Sequence, residues 1–334
     1  MLFHKSIKLW KPYGNNNNNI GLPFTILKLK DEEAVVLEMG MNHFGEIRLL
    51  SNIARPDICV ITNIGTSHIG NLGSRENILK AKLEILEGAK NPVIIVNNDN
   101  DLLHEWYEKN KENVKIFTYG IKEKSDINAS NVILKDENSE FVCKIYDEDV
   151  KISVPVGGEH FVLNALCAIT VGEVLEIESD KISKGIEEFE LTKKRMDITE
   201  KNGVKIINDA YNASLESMKA SLEYISKLNN KRKIAILGDM FELGDYAKEL
   251  HQEVGKQVYK NSVDILICSG ENSKYIIKQA EAEGMEKQNI YYFENKQDII
   301  QEVKKLVKQG DVILVKASNG MKFYELPEKI IDII

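Results

Sequence analysis

Glu38, His68 and Lys82 are the residues whose types and placing could do chemistry. Glu38 opens the stretch E-M-G-M-N-H-F-G-E-I, His68 closes N-I-G-T-S-H, and Lys82 lies within K-A-K-L-E-I. A carboxylate is the hard oxygen donor that Mg²⁺ prefers, and such sites are usually completed by water and substrate phosphate. Histidine is a less usual magnesium ligand, so spacing alone does not choose the metal. Lys82, taken by itself, is a surface residue of a charged helix. Each polar cluster follows a short apolar run, 34–37 before Glu38 and 58–62 before Asn63. Runs of that length, rich in Val and Ile, read as buried strands of a parallel sheet. Ligands of open α/β sheets bind beyond the carboxyl ends of such strands. Glu38, Asn63 and His68 are therefore expected on one rim, with Lys82 brought to it by the following helix.

The elements that must hold these residues alternate. Strands are expected at 34–39, 58–63, 92–97 and 115–119, with helices at 46–54 and 75–88, the pattern of a doubly wound parallel sheet. Residues 1–13 read as the end of a helix, and Gly14 to Pro23 as a structured, Asn-rich loop. Short alternating segments over 126–155 predict a small antiparallel patch. Gly157 and Gly158 then open an apolar helix, and a second helix is expected at 181–189. A second α/β series has strands at 204–208, 233–238, 265–269, 290–293 and 312–316, with helices at 217–228, 246–260, 273–283 and 296–308. The domain boundary falls near residue 191, giving domains 1–190 and 191–334. Polar clusters follow the strands of the second series at Asn208 to Met218, Gly238 to Gly244 and Lys316 to Met321. Together with the loop at Gly157 to Asn164, they point to a ligand shared between the two domains.

Composition excludes several classes. The 334 residues carry 44 Lys and Arg against 52 Asp and Glu, a net charge of −8, which argues against a nucleic-acid binder. No apolar run approaches the roughly 20 residues of a membrane helix, and the amino terminus lacks a signal peptide's apolar core. Cys59, Cys143, Cys167 and Cys268 are widely spaced within apolar runs, as expected of buried free thiols rather than disulfides or zinc ligands. Cytoplasmic location and a monomeric state are expected. Neither G-x-G-x-x-G after a strand nor G-x-x-x-x-G-K-[ST] is present, so no dinucleotide or phosphate-loop fingerprint is available.

The ordered motifs G-N-x-N-N-x-I-G (Gly14 to Gly21), E-M-G-M-N-H-F-G-E-I, R-P-D (Arg55 to Asp57), N-I-G-x-x-H, G-S-R-E-N-I-x-x-A-K-x-E-I, Y-N-A, G-D-M-x-E-L-G and V-K-A-S-x-G-M resemble the Mur ligases, and within them the MurF type. The resemblance runs from about Gly14 to Met321. It implies an α/β fold with a central ATPase domain, mostly parallel with a small antiparallel patch, followed by a Rossmann-like C-terminal domain. It implies ATP and Mg²⁺ as cofactors, and as substrates UDP-N-acetylmuramoyl-tripeptide and D-alanyl-D-alanine, joined through an acyl phosphate for peptidoglycan precursor synthesis. Glu38 and His68 match the family's magnesium ligands. Lys82 matches the lysine that is carbamylated to hold a second magnesium. Asn164 matches the adenine-side asparagine, while Arg195, Asp209 and Lys316 match nucleotide-side positions. Asn15 and Asn18, in the Asn loop, are expected on the substrate side, and Tyr211, Asn212, Ser318 and Asn319 match the region receiving the dipeptide.

The sequence lacks the family's UDP-sugar domain and Gly-rich phosphate loop, so it reads as N-terminally truncated. The alternative is an inactive remnant or a non-catalytic binding protein with the same fold. Three single positions also depart from the pattern: Leu215 replaces a common Pro, Gly70 an acidic residue, and Asn319 an Arg.

Overall fold

The computed structural model describes residues 8–10, 14–228 and 231–334. They form two compact units, one running to Ile64 and from Asn71 to Glu190, the other made of residues 65–70 and 191–334.

In the first unit, the continuous apolar runs become a four-stranded parallel sheet in the order Ile58–Ile61, Val93–Asn97, Ile116–Gly120, Ile127–Asn128. Three antiparallel strands follow, Ser130–Leu134, Ser139–Ile145 and Glu148–Val154, where the antiparallel patch is expected. The 16-residue helix Glu159–Val174 packs on both sheets and buries Phe161, Val162, Leu166 and Ile169. Two expectations fail here. Residues 9–10 are not helical: Leu9–Trp10 is a strand paired in parallel with Ala34–Val35. The remaining expected helix residues lie outside the described ones, apart from Lys8, which is not helical. The strand expected at 34–39 stops at Val35, because the chain turns to the Asn loop, with the Gly40 amide donating to the Asn17 carbonyl at 2.8 Å.

Glu140 ties the antiparallel sheet at its surface, meeting Lys135 at 2.5 Å and Lys151 at 3.2 Å. Bonding to Lys135, then to Lys151, holds its carboxyl down at about 2. A depressed carboxyl adds stability that is complete above its unfolded value near 4.5 and is lost as pH falls through about 2. Glu140→Gln should therefore be less stable than wild type at pH 7, and the gap should close between pH 4.5 and 2. Thermal melts across that range measure it.

The second unit is one six-stranded sheet in the order Asp197–Lys201, Val204–Asn208, Val312–Lys316, Lys233–Gly238, Ile265–Ser269, Ile290–Tyr292. All neighbours are parallel except the first pair. Every residue of Val312–Lys316 and Ile265–Ser269 is buried, as strands covered by helices on both faces must be. The order places the last strand in sequence between the first two parallel ones. The carboxyl ends at Asn208, Lys316 and Gly238 are thus neighbours, and three polar clusters of the sequence meet there.

All four cysteines are free, with Cys59, Cys143 and Cys268 buried and Cys167 half-buried. Burial pushes the Cys59 and Cys143 thiols up to about 12 and Cys167 to about 11, and raises Cys268 as well. Only thiolates react quickly. At pH 8 an aromatic disulfide reagent should therefore label native protein at least ~100-fold more slowly than denatured protein, as read by absorbance.

Candidate functional site

In the first unit, the Asn loop and the 75–83 helix converge on Glu38. Asn17 donates from Nδ2 to Glu38 Oε1 at 2.9 Å. Lys82 stands in the last turn of Arg75–Leu83 and is half-buried. That helix is pinned at its start. Ser74 Oγ caps the Asn77 amide, and the Arg75 guanidinium donates to Asp101 at 2.8 and 2.5 Å and to the Ile64 carbonyl at 2.8 Å. Burial pulls the Lys82 amine below the ordinary lysine range, opposed by the nearby Glu38 carboxylate. Buried Glu84, absent from the expected site, accepts from the Gly45 amide at 2.8 and 2.9 Å and from the Arg48 amide at 3.2 Å. A carboxylate there suits the amino end of helix Glu46–Ala54.

The other residues expected in this unit have mixed roles. Asn63 is tied to Asn100, which donates to its Oδ1 at 2.9 Å. Asn18 Oδ1 accepts from the Ile20 and Gly21 amides at 3.1 and 2.8 Å, so this oxygen shapes the loop. Asn15 is exposed, and Asn164 is an exposed side chain of helix Glu159–Val174.

In the second unit, Asp209 is the anchor at the carboxyl end of the sheet. Its Oδ1 accepts from the Met196 amide at 3.1 Å, and its Oδ2 from Ser221 Oγ at 2.6 Å and Lys316 Nζ at 2.5 Å. Lys316 also donates to the carbonyls of Asp209 at 3.3 Å and Asn212 at 3.2 Å. Its three hydrogens are thereby engaged, and it is 2% exposed. Lys316 and Asp209, both expected on the nucleotide side, are turned inward, and together they hold the 209–212 turn. Burial lowers the Lys316 pKa, against the pull of the Asp209 carboxylate.

What this anchor presents is Arg195, exposed and with its guanidinium 4.3 Å from the Tyr211 ring centroid. Asn212 is exposed beside it in sequence. Asn319 donates to the Tyr211 carbonyl at 2.9 Å. Ser318 is buried, its Oγ accepting from the Phe241 amide at 2.8 Å and its amide donating to the Asp239 carbonyl at 3.0 Å. Ser318 therefore shapes the loop.

His68 belongs to the short segment that packs with this unit. Its Nδ1 is buried, makes no hydrogen bond of regular geometry, and touches the Glu242 carboxylate. That contact orients the ring through one nitrogen, the arrangement by which a carboxylate sets a ligating histidine. Nearby, Thr66 Oγ1 donates to Glu216 at 3.0 Å, and the Gly70 amide to the Glu242 carbonyl at 3.0 Å. A Cβ on Gly70 would lie 2.4 Å from the Gly244 nitrogen and 2.8 Å from the Glu242 carbonyl oxygen. The backbone therefore leaves no room for a side chain at this position. Leu215 is the first residue of helix Leu215–Ser226, capped by Ser214, a position where proline fits well, and nothing in the structure explains its replacement by leucine.

A divalent cation must be judged on this donor set. Among the described residues no group of three His, Cys, Asp or Glu side chains could hold a metal. Glu38 supplies one hard oxygen, so a cation here needs oxygens from a modified Lys82, water or phosphate, which is the habit of Mg²⁺. The residues fit magnesium on that condition.

Residues 2–172 match the Mur ligase middle domain and residues 194–319 the Mur ligase glutamate ligase domain. UDP-N-acetylmuramoyl-tripeptide–D-alanyl-D-alanine ligase of Bacillus subtilis (strain 168) is 38% identical over 97% of this chain and 70% of its own length. The enzyme of that name from Synechocystis is 35% identical over 93% of this chain and 66% of its own. The crystal structure of MurF from Acinetobacter baumannii superposes with a TM-score of 0.90 at 27% identity, covering 99% of this chain and 72% of that one. MurF of Thermotoga maritima in complex with ADP gives 0.84 at 28% identity, covering 99% and 75%. The chain belongs to the Mur ligase family, in its MurF group.

Proposed function

We propose that this chain performs ATP-dependent amide bond formation, adding D-alanyl-D-alanine to UDP-N-acetylmuramoyl-tripeptide in peptidoglycan precursor synthesis. The observation that carries the reading is Lys82, an amine held half-buried near Glu38 with its pKa drawn down by burial. Only a neutral amine adds to CO₂. The nitrogen–carbon bond forms, a proton leaves, and a carbamate replaces the ammonium, giving the oxygens the donor set needs. Glu38 and the modified Lys82 would then hold magnesium, which would neutralise phosphate charge, and His68 keeps the magnesium-side role that its motif implies.

The reaction balances in two transfers. A peptide carboxylate oxygen takes the γ-phosphoryl group, releasing ADP. The dipeptide amine then attacks the acyl carbon, and phosphate leaves with the new amide formed. Most of the work is positioning and charge stabilisation. Asn164 serves the adenine and exposed Arg195 the nucleotide phosphates, while Asp209 and Lys316 act by holding the Arg195 and Tyr211 turns. Asn212 and Asn319 border the dipeptide, and Asn15 lies on the substrate side of the Asn loop. A cytoplasmic monomer fits substrates that are soluble nucleotides. No helix among the described residues is long and apolar enough to cross a membrane.

The acyl phosphate is tested with tripeptide labelled by ¹⁸O in its reacting carboxylate. One ¹⁸O should appear in released phosphate. Unlabelled phosphate accompanying amide product would overturn this route.

A further inference from the structure

His251 is fully buried in helix Ala247–Lys260, and nothing above employs it. Its two ring nitrogens have partners that fix their roles. Nδ1 lies 2.6 Å from the Ala247 carbonyl oxygen, which can only accept, so Nδ1 carries the proton. Nε2 lies 3.0 Å from the Met240 amide, which can only donate, so Nε2 is the acceptor. The ring is therefore neutral and in one tautomer.

Met240 begins a short turn whose other groups reach the site. The next amide, of Phe241, donates to Ser318 Oγ at 2.8 Å. Glu242 follows, with its carboxylate on His68 Nδ1 and its carbonyl accepting from Gly70 at 3.0 Å. Asp239, just before, holds the turn from the other side. Its carboxylate accepts from the Ser273 amide at 2.7 Å and the Asn272 amide at 3.2 Å, and its carbonyl from Ser318 at 3.0 Å. Asp239 is also the carboxylate whose charge acts on His251, while Lys219 and Glu253, on helices packed together here, pair at 3.0 Å. We propose that His251 is a positioning residue, which fixes the 239–243 turn through the Met240 amide so that Glu242 orients His68. It acts two contacts away from the ring it orients and touches no substrate. The inference uses the proposed function only for why His68 matters; the contacts themselves stand apart from turnover. Burial further disfavours a charged His251.

The test uses the whole chain and nuclear magnetic resonance. Imidazole ¹⁵N shifts at neutral pH should report His251 protonated at Nδ1 and bare at Nε2; the opposite tautomer, or a doubly protonated ring, overturns the proposal. In His251→Leu the Met240 amide loses its acceptor, and exchange of Met240 and Phe241 should rise about tenfold or more, with displaced His68 ring signals. His251→Gln, which keeps an acceptor oxygen, should restore both to near wild type. A merely structural role predicts faster exchange across the whole 233–238 strand with His68 signals unmoved, and that result overturns the proposal. Should the Leu variant not fold, the wild-type tautomer and the Gln variant decide, since a Met240 amide that exchanges freely in His251→Gln also overturns it.

Discussion

Lys82→Ala should lower ligase turnover by about 10²–10³-fold, the usual loss when one group that stabilises transferring charge is removed. If the working group is the carbamate, short carboxylates such as formate should restore part of the rate, because they bring back oxygen without the amine. Half-burial near Glu38 leaves a pocket on truncation in which such an anion can sit. Steady-state kinetics with and without formate measure both effects. Turnover equal to wild type would remove Lys82 from the reaction.

The second large effect falls on folding. Lys316→Met leaves the Asp209 carboxylate buried with Ser221 and the Met196 amide as partners, and leaves the Asp209 and Asn212 carbonyls without their ammonium donor. Breaking a buried pair from one side costs about 3–5 kcal/mol. Urea denaturation should show a loss of that order, and a midpoint unchanged from wild type would mean the pair adds nothing. Adding Asp209→Leu to Lys316→Met should recover part of the loss, since an apolar pair is often as stable as a buried ionic one.

The parallel sheets were legible because burial on both faces writes each strand as an unbroken apolar run. Val204–Asn208, Lys233–Gly238, Ile265–Ser269 and Val312–Lys316 have the bounds their runs predict. Asp197–Lys201, D-I-T-E-K, was not legible that way, being a charged edge strand. Its signal was the turn after it, where Asn202 and Gly203 have φ of 51° and 75°, the Asn-Gly hairpin signature. Helix Asp101–Asn110 was not legible from an apolar stripe either; its signal was its cap, Asn100.

In the site, residue type was readable and direction was not. A lysine after an apolar strand looks the same whether it reaches a ligand or turns inward to an aspartate 107 residues away, as Lys316 does. Asn17 lay inside a run of five asparagines, and only the fold distinguishes the one bonded to Glu38 from Asn18, which shapes the loop. Glu242 and His251 were hidden for the same reason, since their partners are set by tertiary structure.

Product formation is the most direct test of the proposed activity. The chain is incubated with ATP, Mg²⁺, UDP-N-acetylmuramoyl-tripeptide and D-alanyl-D-alanine, with each omitted in turn, and the mixture is read by mass spectrometry. The predicted result is a new species equal in mass to tripeptide plus dipeptide less one water, formed only in the complete mixture and with one ADP released per amide. ATP turnover that ignores the dipeptide, or no amide from protein shown to be folded, would contradict it.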